Sequence, residues 1–173
     1  PGKADGTLTE QISYAIVQLL IQENVDIAFD LHEAGVGSRL ENVLVAHQRA
    51  FDAAIYAILD LSAQGLHFNL EPSQPEFRGL SHREWGDHTQ VLAFLSETGN
   101  PGQTDEYVNP DVVNDPKNPL HDRVGRHLAI VRSVLDSAEL LGMPPMRYVG
   151  VPTYADLVRD GLGPWLNAPT AQP

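Results

Sequence analysis

Apolar positions in the first third of the chain change period. Ile12, Ile16, Leu19 and Leu20 recur at helical spacing behind Thr7-Leu8-Thr9-Glu10, where Thr7 can cap and Glu10 lies three residues on. This predicts a helix over about residues 8–23. Val25 to Leu31 then forms a continuous apolar run, a buried strand, and "NVLVAH" from Asn42 to His47 predicts a second strand. Phe51, Ile55, Ile58, Leu59 and Leu61 return to helical spacing and predict a helix over about 49–63 that stops at Gly65. Val91 to Ser96 predicts a third strand. A long helix follows, with Pro119 near its start and Gly142 past its end. Tyr148 to Val151 predicts a short strand. Residues 71–86 are Pro/Gly-rich and predict a long loop, and "NPGQTDEYVNPDVVNDPKNP" predicts a turn-rich excursion. Strands alternating with helices predict an α/β fold, a mixed and largely parallel sheet flanked by helices. One domain is expected over 1–166, with a flexible tail at 167–173.

Composition narrows the partners more than the fold. The 173 residues suffice for one domain, and 42% hydrophobic with 20% charged residues is ordinary for a globular protein. Eleven basic against 23 acidic side chains give a formal charge of −12, which argues against nucleic acid and anionic membrane surfaces as partners. With no cysteine, disulfides and Cys-ligated zinc are excluded, and the redox compartment is left open. No apolar run approaches the roughly 18 residues of a membrane span. The chain opens on Pro1-Gly2-Lys3, from which an upstream portion is expected.

The chemistry collects at two strand ends. "DIAFDLHEAG" (26–35) and "FLSETGNPG" (94–102) each turn from apolar to polar just before glycine, the place where open α/β sheets hold their ligands. Asp30 and His32, two apart, share one face of a strand, which suits a metal ligand with a supporting carboxylate. Taken alone, the pair is a weak motif that describes a partly buried histidine bonded to a loop more readily than a ligand. Glu97 at the second strand end is poorly explained by packing, and beside a metal-bound water it could act as general base. Alternation turns Glu33 away from that face. His82, Glu84 and His88 in "HREWGDH" lie close enough in sequence for a zinc site, but they fall in the predicted loop and read as solvated or substrate-facing. Arg39, Arg78 and Arg83 are candidates for clamping a substrate carboxylate. Tyr107 and Tyr154 are candidate phenol donors, while His47, His67, His121 and His127 are read as structural or exposed.

With "PGKADGTLTE" ahead of them, these motifs resemble the zinc carboxypeptidase superfamily in its succinylglutamate desuccinylase and aspartoacylase branch. The resemblance covers roughly residues 1–102. It implies that His32 is the third zinc ligand, that Glu97 is the general base and proton shuttle, and that Asp30 supports the ligand. It further implies a zinc-dependent hydrolase cleaving the amide of an N-acyl amino acid or a peptide C-terminus, the substrate bearing a carboxylate. The family's H-x-x-E ligand pair and its substrate-binding Asn-Arg pair are absent. The resemblance therefore implies the C-terminal half of a larger hydrolase, partnered by a missing N-terminal portion. That reading requires His32 and Glu97 to meet at one rim of the sheet. The rival reading is a noncatalytic α/β binding or interaction module with a degenerate site.

Overall fold

Thr7 and Glu10 begin the fold as their spacing predicts. The Thr7 hydroxyl accepts the Glu10 backbone N–H, and the Glu10 carboxylate accepts the Thr7 N–H at 2.8 Å, a complete capping box that starts α1 (Leu8–Gln22). The computed structural model describes residues 2–76, 78–104, 108–109, 111–113 and 115–166. After α1 come β1 (Ile27–Gly35), β2 (Val43–Ala46), α2 (Phe51–Ala63), β3 (Asn69–Pro72), α3 (Ser81–His88), β4 (Leu92–Asn100), α4 (Leu120–Ala138) and α5 (Tyr154–Asp160). A 3-10 turn extends α4 to Gly142, whose φ of +79° supplies the left-handed stop that its sequence position predicts. Among the described residues, no helix is long and apolar enough to cross a membrane.

The four strands form one mixed sheet in the order β1-β4-β2-β3. β1 runs parallel to β4, β2 antiparallel to β4, and β3 parallel to β2. Strand alternation sorts the side chains onto two faces. One face carries Phe29, Phe94, Leu44 and Ala46, which build the main core with α2 and α4. The buried face of α2 is largely alanine (Ala53, Ala54, Ala57), so α2 lies close against Ala129, Ile130 and Val134 of α4. The other face carries Val43, Val45 and Leu95, a small second cluster, and continues into Asp30, His32 and Glu97.

Three local expectations change. The stretch read as a loop over 71–86 holds the end of β3 and most of α3, which is stabilised by Arg83–Asp87 and Glu84–His88 pairs at i,i+4. β1 and β4 both continue past the point where polarity sets in, to Gly35 and Asn100. Their late polar side chains are held by α4: Glu33 pairs with the buried Arg123, and Ser96 and Thr98 bond the ring of His127 at 2.6 and 3.1 Å. Tyr148 to Val151 forms no strand. Tyr148 instead hydrogen-bonds Asp136 of α4 at 2.7 Å, and its ring lies under Arg132. Tyr107 and the predicted tail 167–173 lie outside the described residues.

α1 departs most from expectation. Its helical apolar pattern predicts a buried face, yet only Val17 is buried, and Ile12, Leu19 and Ile21 remain more than half exposed. α1 meets the rest of the fold through α3 and across a groove that it shares with α3 and the edge strand β1.

Candidate functional site

Parallel pairing of β1 with β4 sets His32 directly opposite Glu97, so the two residues meet despite their separation in sequence. The His32 Nδ1 lies 3.8 Å from a Glu97 carboxylate oxygen, and its Nε2 lies 3.2 Å from Asp30. The Ser81 hydroxyl, at the start of α3, donates to the other oxygen of Asp30. Burial and exposure divide the cluster. His32 is half exposed, whereas Glu97 retains 9% of its surface and its second carboxylate oxygen is buried without a hydrogen-bond partner. Burial is the chief reason the Glu97 carboxyl is raised above its ordinary pKa; the nearby His32 opposes this, and Asp30 and Glu33 add to it.

Beside this cluster runs a groove of about 490 Å³ between α1, α3 and β1. Ser13, Asp30, His32, Ser81 and Glu84 are its polar lining, and Ile16, Val17, Leu80, Trp85 and Leu95 its apolar walls. His82 is fully buried in α3, and desolvation lowers its pKa to about 4 despite the opposing field of Asp30. The three arginines read as substrate clamps do not converge on the cluster. Arg39 pairs with Glu71 at 2.7 Å, Arg83 pairs with Asp87 at 2.8 Å, and Arg78 is exposed on the turn before α3. Tyr154 bonds Asp122 on the α4 face of the sheet, away from His32. Sequence reasoning missed the α1–α3 groove because it read α3 as loop; the i,i+4 charge pairs of "SHREWGDH" are the signal that could have revealed the helix.

No family model matches this chain. No curated protein matches it either. Among solved structures, it is similar to the crystal structure of Pyrococcus furiosus PbaA, an archaeal homolog of proteasome-assembly chaperone. The identity is 15% and the TM-score 0.39, over 95% of this chain and 62% of that one. The chain thus spans less than two thirds of the length of that structure.

These findings correct the resemblance to zinc carboxypeptidases and, with it, the zinc hydrolase, metallopeptidase and deacylase reading. Among the described residues there is no group of three or more His, Cys, Asp or Glu that could hold a metal ion. The motifs have local explanations that involve no metal. Thr7 and Glu10 form a capping box, and Gly2 has φ +80°, where a Cβ would collide with the Glu10 carbonyl. The carboxylates of Asp30 and Glu97 flank the His32 ring on both nitrogens, and the three do not converge on a shared point.

The orphaned carboxylate makes a direct prediction. A group whose folded pKa is raised contributes stability below its unfolded pKa and loses it as the pH rises through the folded pKa. Glu97→Gln mimics the protonated form at every pH. It should therefore be more stable than the parent at pH 7, by on the order of 1 kcal/mol, and lose that advantage below pH 4. Urea midpoints at the two pH values test this. A destabilised variant at pH 7 would mean that the carboxylate is already satisfied within the chain.

Proposed function

We propose that this chain is a noncatalytic α/β interaction module that receives an extended polypeptide segment along the free edge of β1. One observation carries the proposal: β1 is nine residues long and, among the described residues, pairs on one side only. The Leu92 N–H donates to the Asp26 carbonyl at 2.8 Å, which fixes the phase of the ladder. The backbone groups of Ala28, Asp30 and His32 consequently face β4, and those of Phe29, Leu31 and Glu33 face outward. A long, unpaired edge is a template for another strand, and strand addition to such an edge is a recurrent mode of peptide recognition. The exposed Leu31 lies on this edge strand and adds apolar surface that an incoming segment can bury.

Leu31→Pro discriminates well, because proline is tolerated on an edge strand where its missing N–H faces solvent. The probe is a labelled eight-residue Thr/Val peptide, N-methylated at alternate amides so that it offers a single pairing edge. The parent protein should bind it. Leu31→Pro should weaken binding about tenfold or more, the loss expected for one or two strand hydrogen bonds, with an unchanged far-ultraviolet circular dichroism spectrum. Equal binding by the two proteins would refute strand addition at β1.

A further inference from the structure

We infer that the segment received along β1 carries an aromatic side chain that stacks on Phe29, an inference that rests on the strand-addition reading above. Phe29 and Phe94 are register partners in the parallel pairing of β1 with β4, and their rings stack with centroids 5.1 Å apart and planes 18° from parallel. That separation is close to the spacing of about 4.8 Å between neighbouring strands, so the stack runs along the hydrogen-bonding direction of the sheet. Phe94 thus covers one face of the Phe29 ring. The opposite face is turned toward the open edge, where among the described residues no strand lies. Phe29 is accordingly only partly buried, although it packs against the main core. A residue opposite Phe29 on an added strand arrives one strand spacing farther out, the distance at which a third ring continues the stack.

The neighbours of that position suit a ring. Alternation puts Ile27, Phe29, Leu31 and Glu33 on one face of β1, the face packed by α2 and α4. Ile27 is partly buried and Leu31 is 47% exposed. Both are diagonal neighbours of a residue opposite Phe29, within reach of an aromatic side chain. Glu33 closes the apolar row, because its carboxylate is paired with the buried Arg123. The other face of β1 presents Asp30 and His32, polar side chains that lie 3.2 Å apart. A ring is therefore favoured on one face of the added strand and not on the other. An aliphatic side chain fills the same space but has no ring face to set against Phe29.

The test uses the N-methylated Thr/Val peptide with a single phenylalanine or leucine at either of its two central positions. The methyl pattern fixes which edge of the peptide pairs, so these two adjacent side chains fall on opposite faces of the sheet. At one of the positions the phenylalanine peptide should bind about fivefold more tightly than the leucine peptide. At the other position the two should bind alike. The advantage should vanish in Phe29→Leu, which keeps an apolar side chain without the ring. Its circular dichroism and its retained affinity for the leucine peptide check the fold. Phenylalanine and leucine peptides that bind equally at both positions, still sensitive to Leu31→Pro, would overturn the aromatic contact and leave strand addition standing. An advantage that survives Phe29→Leu would do the same. Sedimentation equilibrium separates the remaining outcomes. A dimer that binds no peptide would make a second copy the occupant of the edge and overturn the aromatic contact. A monomer that binds no peptide would overturn strand addition as well.

Discussion

Acidification from pH 7 to pH 4 should strip the protein of much of its stability, through two histidines buried in neutral form. His82 and His127 are 1% and 8% exposed, and desolvation lowers both pKa values to about 4. Lowered pKa values mean that the unfolded chain binds more protons than the folded one between about pH 6.5 and pH 4. The stability they contribute is present above 6.5 and is lost as the pH falls to their folded values. Each proton is worth up to about 1.4 kcal/mol per pH unit in that window. Together they reach roughly 2.7 kcal/mol per pH unit at the steepest point, against a total that for most domains is about 5–15 kcal/mol. Glu97, with its raised pKa, acts in the opposite direction but is one group against two. Urea unfolding at several pH values should show this slope, and His127→Gln should remove about one proton from it. A stability that stays flat from pH 7 to pH 4 would show that these rings are charged or solvated in the folded state.

Phe94→Ala should cost about 3–5 kcal/mol, the range for truncating a fully buried aromatic side chain. Phe94 has no exposed surface and sits on the central strand β4, between Phe29 of β1 and Ala46 of β2. Its ring stacks on Phe29 with centroids 5.1 Å apart and planes 18° from parallel, and it belongs to the core shared with α2 and α4. Removing it leaves a cavity that alanine-rich α2 has little side chain to fill. Phe29→Ala should cost less, because Phe29 lies on the outer strand and is only partly buried. Denaturant unfolding of the two variants gives the comparison. A Phe94→Ala cost below about 1 kcal/mol would mean that this face of the sheet does not carry the core.

The elements with long periodic patterns were legible in the sequence, and those built by tertiary contact were not. α1, α2 and α4, with the Thr7 capping box and the Gly142 stop, follow directly from spacing and cap chemistry. β3 was not foreseen, and the strand expected at Tyr148 to Val151 does not form. β1 and β4 were placed correctly but cut short, because polar residues near their ends resemble a strand terminus. Arg123 and His127 of α4 satisfy those residues from 90 and 29–31 positions away, which no local pattern reveals. α3 was hidden by its Pro/Gly-rich approach, and with it the groove it forms. The meeting of His32 and Glu97 was readable as two polar stretches on one sheet. Its chemical meaning was not, because a capping box, a D-x-H strand and a Glu-bearing strand are each local solutions that unrelated chains can reach. The apolar pattern of α1 predicted burial, and its exposure is visible only in the assembled fold.

Residue-resolved amide hydrogen exchange along β1 tests the central claim most directly. In the free protein the N–H groups of Ala28, Asp30 and His32, bonded to β4, should be protected, and those of Phe29, Leu31 and Glu33 should exchange rapidly. Saturation with the N-methylated Thr/Val peptide should slow exchange at Phe29, Leu31 and Glu33 while leaving the inner set unchanged. If the outer set is already protected in the free protein, or stays unprotected at saturating peptide, β1 is not a receiving edge and the interaction-module account is wrong.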